Sequence, residues 1–546
     1  MYRRFKLRVA RVLGTFGMLD GFLRTWRVLR GAGESVRRGW ARLRFRRSRR
    51  GGVRVYHERH WCDATVDEHM RSLDVMRANL RTAIELVESI GADYAMVPIA
   101  SSYRYRIVVP ASSRRALIEA ITAPSDPNLH LWIETATIPW EGLPAVRGPS
   151  RRMLDAAPDI RVYRSYTDSK AALVFGSIHG CEIEFWSERD GVLSGEGGNL
   201  VTSAATTDEF GSARIDVGNL SVRTLPMVAD RTHVYFDRFP VDLVYTWVDG
   251  SDPDWRRRRD HALGGVDTDG LAVDSAAEER FISRDELRYS LRSVSQFADF
   301  VHKVYLVTDR QVPSWLDTTN PRIVVVDHRD IFGDQTVLPT FNSHAIESQL
   351  HHIEGLSEHY VYMNDDFLFG RRVGTDTFFH GNGVAKFFFS TAVLAAEDLS
   401  VDHAARISSD LLFGRFGVRV TAKMKHAPYP QRRSVNEDME RAFETELRAT
   451  ASHRLRSPDD VPTASSMSHY FGFLTGRAVP GSIANAYVDL GGGEYRDRLA
   501  RVARSRRFDV ICLNDTVTGL ADAAERDRHL AEWLEAYYPV PGEFER

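Results

Sequence analysis

The feature that most constrains this chain lies between residues 241 and 366, where short apolar runs recur and each gives way to a polar, mostly acidic cluster. The runs are Leu243 to Val248, Val304 to Thr308, Ile323 to Val326 and Tyr360 to Met363, with helical patterns near Arg284 to Phe297 and Asn342 to Leu356. Strand-length runs alternating with helices predict βαβ units, and so an α/β fold with a mostly parallel, Rossmann-like sheet and helices on both faces. In such sheets ligands bind beyond the carboxyl ends of the strands. Those ends read Asp249-Gly250-Ser251-Asp252-Pro253, Thr308-Asp309-Arg310-Gln311, Asp327-His328-Arg329-Asp330 and Asn364-Asp365-Asp366. If the runs share a sheet, several carboxylates converge on one edge.

At 546 residues the chain is long enough for more than one domain. Residues 53–235 read as an α+β accessory domain and 236–546 as the catalytic domain. In the former, residues 66–91 look helical, with Met70, Leu73, Met76, Leu80, Ile84 and Val87 as the buried stripe. Strand-like pieces follow at Tyr105 to Val109, Ala172 to Phe175 and Glu182 to Trp186, with a helix near Ser113 to Ile121. The Gly195 to Gly198 stretch lacks the Lys-Ser/Thr of a phosphate loop and reads as a surface loop.

The net charge of −2 conceals an asymmetry, since the first fifty residues hold sixteen Arg and Lys against Asp20 and Glu34. Apolar residues between those arginines make residues 1–52 a basic amphipathic segment, interrupted too often by Arg11, Asp20, Arg24 and Arg27 to span a bilayer. Peripheral contact with an anionic membrane is the expected role, weighed against a solvated tail and a nucleic-acid arm of the same chemistry. No uninterrupted apolar core precedes a small-residue cleavage site, so a cleaved secretory signal is not expected. Only Cys62, Cys181 and Cys512 occur, too scattered for a thiolate zinc site, and a reducing compartment is the simpler reading.

Asn364-Asp365-Asp366 places an amide and two carboxylates at a strand end. Hard oxygen ligands of this kind suit Mg²⁺ or Mn²⁺ beside substrate phosphates, although they also serve as turn and cap residues. A second such cluster, Asn514-Asp515-Thr516, follows the apolar Val510-Ile511-Cys512-Leu513. Within the helix expected over Asn342 to Leu356, Glu347 and His351 would share a face, with His344 and His352 near. The HExxH arrangement of zinc enzymes is absent, which favours solvated helix histidines over a zinc site. His426 lies in a basic stretch closed by prolines, and Arg456 in His453-Arg454-Leu455-Arg456. Each alone reads as surface charge, but cations near acidic metal ligands are what phosphoryl transfer requires.

Together these residues resemble a family. Asp242-Leu-Val-Tyr-Thr-Trp-Val-Asp-Gly-Ser-Asp-Pro-Asp-Trp255 is similar to the first signature block of the Stealth sugar-phosphate transferases, which include bacterial capsular polysaccharide enzymes and the core of animal GlcNAc-1-phosphotransferase. Asp285 to Val294, Val304 to Asp309, Val312 to Leu316, Leu338 to Glu347, His352 to Ser357 and Tyr362 to Gly370 resemble its second block. Lys425-His426 through Arg456 resembles the third, more loosely, and Cys512 to Thr516 with Tyr537 to Phe544 the fourth.

The resemblance implies a nucleotide-sugar-binding sheet and an exopolysaccharide or capsule phosphotransferase, an enzyme of the class that transfers phosphorus-containing groups. Hexose-1-phosphate would pass from a nucleotide sugar, a UDP-hexose foremost, to a glycan hydroxyl, releasing the nucleoside monophosphate. It maps the family's activity-linked positions onto Glu347, Asp366, His426 and Arg456. It places Trp247, Asp249 and Asp252 in the nucleotide pocket and Arg288 or Arg292 against phosphate. Asp366, with Asn514 or Asp515, would hold Mg²⁺ or Mn²⁺, and either His426 or Glu347 would be the general base. The implied setting is cytoplasmic, on the inner face of the plasma membrane, with no nucleic-acid partner. The alternatives are a metal-dependent glycosyltransferase, which breaks the anomeric bond instead, and an inactive membrane-associated scaffold of polysaccharide assembly.

Overall fold

A computed structural model describes residues 53–57, 60–98, 104–122, 128–134, 142–144, 154–155, 157–195, 199, 201–231, 233–234, 236–264, 281, 283–393, 403–515 and 523–546. The basic segment over 1–52 and positions 196–198 of the Gly-rich stretch lie outside the described residues. Two compact units emerge. One takes in the described parts of Met1–Met70, Ala78–Tyr94 and Arg106–Gly197, and the other those of Arg71–Arg77, Ala95–Tyr105 and Gly198–Arg546.

The first unit contains a four-stranded sheet of Val53–His57, His60–Val66, Ser165–Thr167 and Val174–Phe175, in that order. In a second sheet Arg106–Pro110 runs parallel to Cys181–Arg189, and Asp159–Tyr163, His130–Glu134 and Gly142–Pro144 continue it antiparallel. The helix expected near 66–91 spans Ser72–Ser89 and buries Val75, Met76, Leu80, Ile84 and Val87. Val75 replaces Leu73 in the fully buried stripe.

The second unit is built on a five-stranded sheet. Its strands are β1 (Val241–Thr246), β2 (Val301–Thr308), β3 (Ile323–Asp327) and β4 (His359–Asn364), all parallel, with β6 (Tyr429–Arg432) antiparallel to β4 at the edge. The order is β3-β2-β1-β4-β6. Central strands of such a sheet are covered on both faces, and the middles of β1 and β4 accordingly read as apolar runs, with Leu243, Val244, Tyr245, Val361, Tyr362 and Met363 buried. From β1 the chain goes to β2 on one side and later returns to β4 on the other. That reversal opens a crevice at the carboxyl ends of β1 and β4. The register puts Thr246 opposite Asn364 and Val307, and Thr308 opposite Asp327, so the four polar strand ends share one edge.

A three-stranded sheet lies beyond this edge, ordered β5 (Phe367–Phe369), β8 (Val510–Asn514), β7 (Asn485–Asp489). Val510 to Leu513 is therefore a strand, but of this small sheet rather than of the parallel one. Because β5 follows β4 after a two-residue turn at Asp365 and Asp366 and pairs Phe367 with Cys512, the two acidic clusters meet. Helix α2 (Glu286–Phe297) packs on both sheets through small polar residues. Tyr245 OH and Ser290 Oγ lie 2.8 Å apart, Ser290 Oγ donates to the Phe367 carbonyl (2.5 Å), and Ser293 Oγ accepts from the Phe369 N–H (2.9 Å). Serine keeps the helix close and satisfies backbone groups of a short strand.

The helix expected over Asn342 to Leu356 does not form as one element. Asn342 caps α3 (Ser343–Glu347) by accepting the His344 N–H, and a separate 3₁₀ turn follows at Leu350–His352. Ser348 Oγ donates to the Ala345 carbonyl and accepts from Gln349 Nε2, local bonds that compete with continuing the helix. Glu347 and His351 consequently do not share a helix face.

Candidate active site

The crevice at the switch point is a cavity of about 330 Å³, a size that suits a small-molecule ligand. Thr246, Trp247 and Val248 leave β1 into it, Val307 and Asp309 come from the end of β2, His328 follows β3, and Asn364, Asp365 and Asp366 follow β4. Glu347 and Ser343 arrive on α3, Asn514 and Asp515 at the end of β8, and Arg456 from the loop after the helix Glu444–Ser452. Trp255, Phe341 and Leu455 pack together as an apolar wall, to which Phe281 adds. Gly250, in the turn after β1, is required: its N–H donates to the Phe281 carbonyl at 2.8 Å, and a Cβ there would collide with that same oxygen.

The electrostatics of the floor are unusual. Asp366 Oδ1 is buried and makes no hydrogen bond within the described residues, while Oδ2 accepts from the Cys512 thiol at 3.6 Å. Burial, and then the charge of Glu286 at the start of α2, push the Asp366 carboxyl up to about 7. Asp365 is raised well above the carboxylate range by burial, Glu286 and Asp366, and Glu286 is itself raised by burial. Three acids crowded in a low-dielectric pocket repel one another unless protonated or bridged by a cation. Carboxylates with a bare oxygen and a neighbouring amide, Asn514, are the kind of donors that Mg²⁺ or Mn²⁺ takes, so the chemistry of these residues fits such an ion, although their carboxylate oxygens do not all lie within 4.8 Å of one another.

Glu347 is a buried carboxyl with one bare oxygen. Its Oε2 is buried without a hydrogen-bond partner, its Oε1 accepts from Tyr362 OH at 3.4 Å, and burial raises it against the opposing pull of His344 and Arg456. Tyr362 OH also lies 2.9 Å from Thr246 Oγ1, which ties β4 to β1 at the crevice. Arg456 is held through Nε (3.2 Å) and Nη2 (2.5 Å) on Ser343 Oγ, and no carboxylate lies in ion-pair range of it among the described residues. Trp247 Nε1 is a buried donor without a partner, and His328 is pushed down to about 4 by burial, so it is neutral at physiological pH.

Of the residues singled out from the sequence, the structure brings Glu347, Asp366, Arg456, Trp247, Asn514 and Asp515 to this cleft. Asp515 is engaged there by Arg284 (2.8 Å) and Arg526 (3.4 Å). His426 is exposed beside it, its ring 5.3 Å from that of Tyr487, whose phenol feels the charge of Asp366. Asp249 and Asp252 are not brought to the lining. Asp249 accepts the Ser251 N–H and hydroxyl in a tight turn, and Asp252 caps α1 (Pro253–Leu263) while accepting from Gln311. Arg288 and Arg292 face away from the cleft onto the buried Glu545 carboxylate, at 2.6 and 2.7 Å. Asp309 and His328, which stood among the polar strand ends, do reach the lining, whereas sequence reasoning missed Glu286, Arg284 and Tyr362 as cleft residues. Glu286 carried a signal, as an acid in the first turn of a strongly patterned helix, but that is ordinary for helix starts.

The sheet and its cleft define an α/β protein whose candidate site, acidic at the floor and carrying arginine and tryptophan, lies at a topological switch point. Four family models match in order: Stealth protein CR1, conserved region 1, over residues 239–267; CR2 over 280–387; CR3 over 425–473; and CR4 over 500–546. The chain is 39% identical over 533 residues to the exopolysaccharide phosphotransferase SCO6023 of Streptomyces coelicolor, covering 94% of this chain and 89% of that one. It is 36% identical over 399 residues to the exopolysaccharide phosphotransferase CpsY of Mycobacterium tuberculosis, covering 71% and 74%. The chain belongs to the Stealth family.

Proposed function

We propose that this chain is an exopolysaccharide phosphotransferase that moves hexose-1-phosphate from a nucleotide sugar, a UDP-hexose foremost, to a hydroxyl of a glycan. The observation that carries this reading is the meeting of Glu347, Asp366 and Arg456 in one cleft, with a carboxylate oxygen and an indole N–H there lacking partners. The names of the two relatives reported above, both exopolysaccharide phosphotransferases, support it.

The acceptor oxygen attacks the phosphorus bearing the hexose, and the bond from that phosphorus to the bridging oxygen breaks. The nucleoside monophosphate leaves with that oxygen, and the anomeric C–O bond stays intact. Glu347 takes the hydroxyl proton, since its raised affinity for protons suits a base working near neutrality. Arg456, pre-set on Ser343, places a rigid charged fork against the phosphoryl oxygens. Trp247 and the Trp255, Phe281 and Phe341 wall hold the nucleotide, and His426 stands at the rim where an acceptor glycan would enter. Asp366, Asp365 and Glu286, with Asn514 beside them, would hold Mg²⁺ or Mn²⁺, which supplies charge neutralisation for the diphosphate. The basic segment over 1–52 would bring the enzyme to the anionic inner leaflet of the plasma membrane, and among the described residues no helix is long and apolar enough to cross a membrane.

Purified protein with Mg²⁺, UDP-, GDP- and CMP-linked donors and acceptor glycans tests the reaction by phosphorus NMR. A new phosphodiester resonance together with released nucleoside monophosphate is expected. A phosphate-free glycoside would overturn the reading in favour of a glycosyltransferase, and no turnover of any donor would favour a scaffold.

A further inference from the structure

Outside the cleft, one group of three ligating side chains stands together among the described residues. His351 and His352 close the 3₁₀ turn Leu350–His352, and Glu440 stands on the helix Arg433–Ala442, far away in sequence. His351 Nε2 and His352 Nε2 lie 2.9 and 3.1 Å from the same atom, Glu440 Oε2, and the two ring centroids are 4.1 Å apart. The other nitrogen of His352, Nδ1, lies 3.1 Å from the Ile331 carbonyl oxygen. A carbonyl can only accept, so Nδ1 carries the hydrogen. Nε2 can then meet the carboxylate in two ways, as the second N–H of an imidazolium or, in the neutral ring, as a lone pair facing Glu440 across a bound cation. Metal-binding histidines are oriented in this manner, with the remote ring nitrogen donating to a carbonyl.

We propose that His351, His352 and Glu440 form a zinc site that braces the turn following the Glu347 helix against the helix Arg433–Ala442. Two imidazoles and one carboxylate are a zinc donor set, whereas Mg²⁺ and Ca²⁺ prefer oxygen alone. Zinc bonds of about 2.0–2.1 Å in tetrahedral geometry separate ligand atoms by roughly 3.3 Å. The two contacts to Glu440 Oε2, 2.9 and 3.1 Å, need to lengthen by a few tenths of an ångström, and the two Nε2 atoms, within 4.8 Å of each other, to close by at most about 1.5 Å, changes that side-chain rotation supplies. His351 is buried and fixes one ligand rigidly, while His352 and Glu440 border an open polar cleft with Asp334, Glu444 and Arg448, where water can complete the shell. The site stands apart from the transfer chemistry: neither histidine nor Glu440 lines the catalytic cleft. Its effect on that cleft runs through position, since His351 follows Glu347 by four residues and the ion would pin the segment that carries the proposed base.

The test uses the full chain, stripped by chelator and titrated with Zn²⁺ alone against a chromophoric competitor, with bound metal counted by mass spectrometry. One Zn²⁺ per chain is expected. Binding should weaken at least tenfold in His352→Gln and in Glu440→Gln, yet be retained in Asp366→Asn. Co²⁺ loaded into the wild type should give the visible absorption of a tetrahedral site, a readout that stands even if a variant folds poorly. Failure to bind Zn²⁺ stoichiometrically, or equal affinity in both site variants, would overturn the proposal and leave a hydrogen-bonded His-Glu cluster only. None of these readouts depends on the transfer reaction, so the two readings fail separately.

Discussion

At the scale of single residues, the cleft is organised by groups kept in costly protonation states. Glu347 is raised by burial, so its deprotonated form, the one competent as a base, gains population at higher pH than an ordinary carboxylate's. The kcat profile should therefore climb on its acid side above pH 4.5. Glu347→Gln should lower kcat by about 10²- to 10⁴-fold and erase that limb, whereas His426→Gln should leave the limb in place. Retention of the limb in Glu347→Gln would assign the base elsewhere. Asp366 makes a separate prediction. Its folded-state value of about 7 stands above the roughly 3.9 of an unfolded aspartate, so the folded state binds more protons between those values. The stability from the protonated form is full below about pH 4 and is lost as pH rises through 7. Metal-free Asp366→Asn should thus melt several degrees higher than wild type at pH 8, with little difference at pH 4. It should also lose the stabilisation that Mg²⁺ gives the wild type, as read by calorimetry.

Among the elements, α2 does the most positioning, and it is clamped from behind by the chain's end. Arg288 and Arg292 grip Glu545, Arg292 Nη1 reaches Glu535 and the Tyr538 carbonyl, and Tyr538 OH donates to the Phe369 carbonyl of β5. Glu545 and Arg292 are 3% and 6% exposed at their side chains, so removing Glu545 leaves the buried Arg292 with only the half-exposed Glu535 as a counter-charge. Glu545→Gln should cost about 3–5 kcal/mol in denaturant unfolding. Under conditions where the variant remains folded, the donor KM should be unchanged, because these arginines hold α2 rather than phosphate. An element also explains why the histidines stand where they do. An unbroken helix over Asn342 to Leu356 would spread its histidines along exposed faces, and the break after Glu347 instead delivers His351 and His352 together to Glu440. Periodicity could not show that break, because it depends on hydroxyl-to-backbone bonds at Ser348.

For the molecule as a whole, the family's four matched regions are the pieces of one site: the first supplies β1 and its turn, the second α2 through β4, the third Arg456, and the fourth β8 and the Glu545 clamp. A chain ending at residue 499 should consequently fail to fold its second unit, since β5 would lose its partner strand and α2 its clamp; circular dichroism of the truncated protein would check this. The full chain should float with anionic liposomes and less with neutral ones, and equal flotation would count against the basic segment as an anchor. The sheet, its acidic edge and Asp366 were legible because strands advertise themselves as apolar runs and their ends as polar clusters, both local patterns; Glu347 and Arg456 were pointed to by the resemblance to the Stealth family, since each alone reads as helix or surface charge. What no local pattern contains is which distant groups meet. Glu286 joins Asp365 and Asp366 only because Ser290 and Ser293 seat α2 on β5, and Arg288 and Arg292 turn from phosphate because Glu545, more than 250 positions on, reaches them first. The sequence by itself determined the strands, their order of appearance and the chemistry at their ends. The tertiary structure alone decided which of those charges stay bare in the cleft and which are neutralised, because burial and pairing are properties of neighbours in space.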